Sequence, residues 1–85
     1  MGTPSASTST TSEYYVAITP SDSVNFTNGV CRGIYVGGAG NVVAIDPLTN
    51  TATTFIGCVA GSVLPIQAVR VNSTSTTATS LVALY

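Results

Sequence analysis

Hydroxyl and thiol side chains are the most abundant groups in this sequence that could act as nucleophiles. The 85 residues include 24 serines and threonines and 2 cysteines, and such a group needs an adjacent base for activation. The sequence contains no histidine and no lysine to serve as that base. Chemistry between two carboxyl groups would have to draw on Glu13, Asp22 and Asp46 alone. The residue types therefore predict a protein that is not an enzyme.

The sequence also contains few residues that could bind a metal or a cofactor. Cys31 and Cys58 do not form the Cys-x-x-Cys pattern of redox and zinc sites. The glycine-rich segment 37–40 does not continue as a phosphate-binding loop, because Val43 stands where the third glycine would be. We therefore expect no cofactor and no metal.

Charged side chains are scarce, and this limits the partners that the protein can have. They make up 6% of the sequence, against about 25% in an ordinary soluble domain. Two arginines cannot neutralise a row of phosphates, so we expect no nucleic acid. No apolar run approaches the roughly 20 residues of a membrane-spanning helix, so we expect no membrane. A net charge of −1 gives free monomers little mutual repulsion, which predicts a surface largely buried against other protein.

The two arginines are the strongest candidates for contacts with such a partner. Arg32 and Arg70 each lie within a candidate strand, in line with apolar residues. Arginine suits interfaces because its planar group forms several hydrogen bonds while its stem covers apolar surface. We expect each to pair with a carboxylate of a neighbouring subunit, with Glu13, Asp22 and Asp46 as the choices. The alternative is a solvated arginine on an exposed strand face, which contributes little.

Four further residues complete the set of interface candidates. Leu84 and Tyr85 end the last candidate strand and are expected to bury area between subunits. Tyr35 could stack on a partner, or it could close the rim of a β core with its hydroxyl in water. Asp22 is expected to cap a turn within residues 20–23 through its side chain.

Short β-type runs must position these residues. Residues 1–13 form a Ser/Thr-rich N-terminal arm that cannot offset its ordering entropy alone, so we expect it to be free in solution or ordered on a partner. Residues 14–85 form a single β domain. The candidate strands are 14–19, 31–36, 41–45, 51–59, 65–71 and 79–85. About six short strands separated by turn residues predict an all-β fold, a small antiparallel β-sandwich or barrel.

Glycine and proline predict the connections between these strands. Segment 37–40 is expected to be a tight connection in which glycine adopts a positive φ. Residues 46–50 are expected to form a turn containing proline, and Pro65 to begin the fifth strand.

Several candidate strands are apolar on both faces. In the third strand, for example, Val42 and Ala44 oppose Val43 and Ile45. The second and last strands also lack clean alternation of apolar and polar residues. A strand of this kind is buried on both sides. We therefore expect one face to meet another subunit; the alternatives are a closed barrel edge or a covering loop.

An ordered set of short segments resembles a known family. These segments are Ala17–Asp22, Arg32–Gly37 followed by Gly40, Gly61–Pro65, Val69–Val71, Thr76–Thr79 and Val82–Tyr85. Together they resemble the head spike base proteins of tailed bacteriophages and of phage-derived gene transfer agents. The Asp46–Asn50 turn is longer than the tight hairpin of that family, and the arm is richer in serine and threonine.

The resemblance implies a non-enzymatic virion structural protein on the outer surface of a phage head. The implied partners are the major capsid protein, further copies of this chain as a pentamer or trimer, and a head fibre protein. Such a protein is made in the reducing cytoplasm of a bacterial host, so free thiols at Cys31 and Cys58 are favoured over a disulfide. One alternative role is a capsid decoration (cement) protein that clamps capsomers at three-fold positions. A carbohydrate-binding or adhesive β module that contacts the host surface is an alternative from another class.

Overall fold

Valine, isoleucine and threonine dominate the strands, because β-branched side chains pack well on a pleated surface. The structure is a computed structural model that describes residues 14–85. The predicted arm, residues 1–13, and with it Glu13, lies outside the described residues. The strands are β1 (Tyr15–Ala17), β2 (Gly33–Val36), β3 (Gly40–Ile45), β4 (Ala52–Cys58), β5 (Ser62–Leu64), β6 (Arg70–Val71) and β7 (Val82–Leu84). The prediction of an all-β fold is confirmed.

Two antiparallel sheets share these strands. The first sheet has four strands in the order β1-β7-β2-β5, and the second has three in the order β4-β3-β6. In the first sheet Ile34 lies opposite both Ala83 and Leu64. In the second sheet Ala44 lies opposite both Thr53 and Val71. Both sheets contribute to one core.

The core is made of small and branched side chains. Its largest fully buried members are Ile34, Val36, Val42 and Val71. Partly buried side chains of Ile18, Phe26, Phe55, Leu64, Ile66 and Tyr85 pack around it. Among residues 14–85 the buried set includes no polar or charged side chain, so the polar side chains of these residues lie at the surface and in the loops.

The third strand corrects the interpretation of two-faced apolar strands. Val42, Val43, Ala44 and Ile45 are all buried, none more than 5% exposed, although only one copy of the chain is present. Val42 and Ala44 belong to the common core, and Val43 and Ile45 on the opposite face are covered by other parts of the same chain, so β3 needs no subunit interface.

The fifth predicted strand is wrong in its position. The chain forms β5 at Ser62–Leu64, before Pro65, and returns to a ladder only at Arg70–Val71. Between them Ala68 makes an isolated bridge to Cys31. Proline has no N–H for the ladder, and here it follows a strand instead of beginning one. Residues 14–85 therefore form seven strands where about six were expected.

The glycine-rich segment is tight partly for the predicted reason and partly for another. Gly40 has the predicted positive φ, of 156°, whereas Gly37 and Gly38 do not. They run directly against residues 79–80, with mutual backbone hydrogen bonds between Gly38 and Thr79 of 2.8 and 3.1 Å. A Cβ at residue 37 would lie 2.6 Å from the carbonyl oxygen of Ser80. Glycine is needed here because two backbone segments touch.

Candidate assembly surfaces

One face of the first sheet points away from the core. Residues opposite one another in a sheet share a face, and the register aligns Ala17, Val82, Tyr35 and Val63 in one row across all four strands. A second row joins Tyr15, Leu84 and Gly33. We call these six side chains and the glycine between them the outer face. It is made of Tyr15, Ala17, Gly33, Tyr35, Val63, Val82 and Leu84.

The outer face is apolar and open to solvent. Tyr15 is 68% exposed, Val63 50% and Tyr35 38%. Gly33 is buried between its neighbours: a Cβ there would lie 3.5 Å from Leu84 Cδ1 and 3.6 Å from Val63 Cγ1. The missing side chain lets leucine and valine close over the strand. The result is a continuous surface without a charged side chain, and contiguous apolar surface of this kind is typical of protein interfaces.

Two of these residues, Tyr35 and Leu84, were among the predicted interface candidates. Val63 was not, because it lies between the candidate strands 51–59 and 65–71, and neither were Tyr15 and Val82. Strand parity alone marks Val82 and Leu84 as one face, but only the register shows which residues of other strands lie beside them.

One outermost strand of each sheet, β1 in the first and β4 in the second, also lacks the usual protection. Natural sheet edges often carry proline, or lysine and other charged side chains, which discourage pairing with a second molecule. Neither β1 nor β4 contains a charge or a proline. On β4 the side chain of Ile56 is 80% exposed. Both edges therefore resemble surfaces that are covered in an assembly.

The β3–β4 turn projects an apolar side chain from a rigid support. Leu48 is 90% exposed at its tip. Asp46 Oδ1 accepts hydrogen bonds from the N–H groups of Leu48 and Thr49 at 2.8 and 2.5 Å. These hydrogen bonds hold the pKa of Asp46 below its usual range, and the bond from Thr49 contributes most. The predicted turn over residues 46–50 is confirmed, and its carboxylate is engaged within the chain.

Arg70 lies at the junction of β6 and the loop of residues 19–30. Its Nε donates to Asn72 Oδ1 and its Nη1 donates to Asn25 Oδ1, both at 3.0 Å. It is half-buried and begins a strand of two residues, so its predicted position in the middle of a strand is wrong. Its guanidinium group joins two segments of one chain, and its pairing with a neighbour's carboxylate stays a prediction.

Arg32 lies in a bend before β2, which also differs from the predicted mid-strand position. Its backbone N–H donates to the carbonyl oxygen of Leu84 at 2.8 Å, and the residue is half-buried. The backbone bond continues the β2–β7 pairing by one residue. A subunit contact through its side chain stays a prediction.

Asp22 does not cap its own turn. That role belongs to Ser21, whose Oγ accepts from the N–H groups of Ser23 and Val24 at 3.2 and 3.1 Å. Asp22 instead joins two loops: Oδ1 accepts from the Thr74 N–H at 2.9 Å and Oδ2 from the Thr74 hydroxyl. The hydroxyl first, and then the N–H, hold the pKa of Asp22 below its usual range. Sequence analysis missed this contact because the partners are 52 residues apart.

Tyr85 closes one end of the first sheet. Its ring packs at 5.5 Å from the ring of Tyr14, its N–H donates to the Tyr14 carbonyl at 2.7 Å, and its hydroxyl donates to the carbonyl of Gly29 at 3.2 Å. Burial raises the pKa of this phenol. Tyr85 therefore packs within the chain, on the side opposite to Leu84.

Residues 14–85 contain few side chains that could take part in catalysis or bind a ligand. Cys31 and Cys58 are buried and form no disulfide with each other, in agreement with the preference for free thiols. Burial raises the pKa of Cys31. Within residues 14–85 no three carboxylate, cysteine or histidine side chains gather into a group that could hold a metal ion. The same residues include no helix of a length and apolarity that could cross a membrane.

Comparison with solved structures gives an informative match. No family model matches the chain, and no curated protein does. A solved structure that does match is a chain from the capsid of a native gene transfer agent (GTA) particle, computed with C5 symmetry. It has a TM-score of 0.82 and 33% sequence identity, over 93% of this chain and 89% of that chain. The chain belongs to the family of this GTA capsid component.

Membership of this GTA capsid family supports a structural role in a phage-like head. It also explains the composition. A subunit of a particle is in contact with other protein molecules, so it does not need the charges that keep free monomers apart. The outer face and the uncharged sheet edges are the surfaces on which such contacts can form.

Proposed function

We propose that this chain is a head spike base: a non-enzymatic protein on the exterior of a phage-like head that binds the major capsid protein as an oligomer. The observation that carries the proposal is the likeness to the GTA capsid component over nearly the whole of both chains. The ordered segments that resemble head spike base proteins, such as Arg32–Gly37 and Val82–Tyr85, support the narrower assignment.

The outer face supplies the binding surface in this proposal. A stable protein interface buries about 800 Å² on each partner, which is about one sixth of the 4792 Å² that this chain exposes. The outer face spans all four strands of the first sheet. Its centre, around Tyr35 and Val82, can lose its water without burying an unpaired charge. Apolar burial at about 25 cal/mol per Å² then drives association, against the entropy that association costs.

Location on the particle is the first test. We expect a cryo-electron microscopy map of purified heads to show density with this fold outside the shell, resting on the major capsid protein. Density at the five-fold vertices agrees with a spike base. Density that clamps capsomers at three-fold positions would replace the spike base with a cement role, and particles without the chain would refute a virion role altogether.

Substitution of the outer face is the second test. Tyr35→Asp and Val63→Asp place a charge in the middle of the proposed interface, and we expect each to remove the chain from gradient-purified heads. The matched control is Gln67→Asp, which adds the same charge at an exposed position of the β5–β6 connection, outside the outer face and the β1 and β4 edges. Arg32→Ala and Arg70→Ala test the predicted role of the arginines in the same assay. Normal incorporation of both outer-face variants would show that this face does not bind the capsid.

A further inference from the structure

The four edge strands of the two sheets are protected to different degrees. β5 is followed directly by Pro65. β6 contains Arg70, and the carbonyl of Val71 accepts from the Ser21 N–H at 2.9 Å, so the loop of residues 19–30 lies along that edge. β1 has three residues and lies beside the same loop. β4 has seven residues, more than any other strand within residues 14–85, and has none of these protections. It is therefore the edge most open to pairing with another molecule.

The backbone of β4 presents unpaired hydrogen-bonding groups along this edge. Alternate residues of β3 direct their carbonyl groups toward β6 and its flanking loops, whose N–H groups donate to them; these residues are Asn41, Val43 and Ile45. Val42 and Ala44 therefore face β4, opposite Phe55 and Thr53. Because bonded residues alternate in an antiparallel ladder, the N–H and C=O groups of the other β4 residues point away from β3. These residues are Ala52, Thr54 and Ile56, and none of their backbone groups has a partner within residues 14–85.

The regular part of this edge ends after Ile56. The β3–β4 register shifts between Gly40 and Val42. On the other strand Gly57 has a φ of 73°, and its N–H donates to Asn41 Oδ1 at 3.0 Å. A bulge of this kind bends the strand that carries it. An added strand can therefore pair with residues 52–56.

We propose that β4 pairs with β4 of a second copy of this chain, antiparallel and across a two-fold axis at Thr54. In this register Thr54 bonds to Thr54 of the second copy, and Ala52 of each copy bonds to Ile56 of the other. Among antiparallel registers of β4 with itself, this one alone gives every outward-facing residue of 52–56 an outward-facing partner. A two-fold contact requires such a self-complementary surface. The proposal goes beyond the proposed function, because β4 contributes no residue to the outer face.

The side chains along β4 complement one another in the same register. Residues directly opposite share a face, so Thr54 meets Thr54, a favourable cross-strand pair. Ile56, which is 80% exposed in the single chain, meets Ala52. β4 has no charged side chain, so no like charges face each other across the axis.

The same axis brings two further apolar side chains together. Leu48 lies as far before Thr54 in the sequence as residue 60 lies after it. The β3–β4 turn of one copy therefore comes alongside Val59 of the other. Leu48 is 90% exposed and Val59 66%, and with Ile56 they are the three most exposed large aliphatic side chains within residues 14–85. One contact accounts for the exposure of all three.

Charge substitution at the axis tests the pairing in the full chain. Sedimentation equilibrium measures the dimer dissociation constant. Thr54→Asp places two carboxylates opposite each other, and we expect the dissociation constant to rise at least about ten-fold. Two controls should stay within about three-fold of wild type: Thr54→Val, which adds no charge, and Gln67→Asp, which adds the same charge at an exposed position away from β4.

A mixture of two charge variants locates the axis. We expect Thr54→Lys alone to dimerise as poorly as Thr54→Asp, and an equal mixture of the two to recover the dimer, because opposite charges then meet. In every other register that aligns outward-facing residues, residue 54 does not face itself. A mixture no more dimeric than either variant alone would therefore refute the axis at Thr54.

Ile56→Thr gives a second probe that introduces no charge and keeps a residue suited to strands. Its side chain is exposed in the single chain, so circular dichroism should show an unchanged fold. We expect a weaker dimer, and an affinity equal to that of wild type would refute the proposed side-chain contact.

The remaining outcomes separate this contact from the virion role. Monomers at every concentration up to about 1 mM would refute the β4 pair, wherever the chain is found. Oligomers that Thr54→Asp leaves intact would assign assembly to another surface, such as β1 or the outer face, and refute it equally. Heads that lack the chain, together with a dimer that Thr54→Asp breaks, would refute the virion role and support the β4 pair.

Discussion

Two neighbouring residues of β2 should respond to substitution in opposite ways. Ile34 is fully buried between Ala83 and Leu64, whereas Tyr35 is 38% exposed on the outer face. Ile34→Ala removes three carbons from the core and leaves a cavity, which costs about 2–5 kcal/mol. Tyr35→Thr keeps a residue suited to strands, and we expect it to cost about 1 kcal/mol or less.

The magnitude for Ile34→Ala is large relative to the stability of so small a domain. A chain of 85 residues is stabilised by about 4–13 kcal/mol in all, at roughly 0.05–0.15 kcal/mol per residue. For this size about 1 kcal/mol corresponds to 4–8 °C in the melting temperature, so Ile34→Ala lowers it by roughly 10 °C or more. With a urea m-value of about 1–2 kcal/mol/M, the midpoint of unfolding falls by at least about 1 M.

Urea unfolding followed by circular dichroism at low protein concentration measures both variants. We expect an unchanged m-value with Ile34→Ala, which would show that only stability has changed. The reasoning fails if Ile34→Ala loses less than about 1 kcal/mol, because the inner face would then not be packed as described. It fails equally if Tyr35→Thr is as damaging as Ile34→Ala, because the outer face would then belong to the core.

Three further outcomes are expected. Gly37→Ala forces a Cβ to within 2.6 Å of the Ser80 carbonyl, so thermal unfolding should show a loss of about 1–3 kcal/mol; a variant as stable as wild type would contradict the close approach. Asp22 and Asp46 have lowered pKa values in the fold, so they bind protons less readily there than in the unfolded chain. The free energy of unfolding should therefore be constant above about pH 5 and fall below about pH 4. A pH series of urea midpoints checks this, and a rise in stability on acidification would refute it. Cys31, fully buried with a raised pKa, should react with iodoacetamide at pH 8 only after urea unfolds the chain; rapid alkylation of the folded protein would contradict its burial.

Much of the fold could be predicted from local sequence. The β-branched runs with glycine and proline between them indicated strands at six of the seven observed positions, all except β5, and the turn over residues 46–50 follows from its own residues. Strand ends were less predictable: the first run, 14–19, contributes only Tyr15–Ala17 to the ladder. Pairing partners decide where a strand ends, and these partners are remote in the chain.

The candidate site shows the same division. Tyr35 and Leu84 were recognised as interface candidates from their types and positions. Val63 was not, because its strand is only three residues long, ends just before Pro65, and nothing local shows that it pairs with β2. Asp22 was expected to act within its own turn, since the nearest N–H donors to a short carboxylate are usually local; its actual partner, Thr74, is brought to it only by the folded loops.

The sequence by itself determined the class of this protein. Five charged side chains, no histidine and no lysine leave few groups for acid–base or nucleophilic chemistry and favour a surface in contact with other protein. Folding cannot change these properties, because they belong to the composition. Tertiary structure decided where the contacts can form. β3 has both of its apolar faces buried inside one chain, whereas β2 and β7 leave one face on the outside, although all three are inner strands of their sheets. That difference depends on which segments pack against each face of a sheet, and a local pattern of residues does not contain this information.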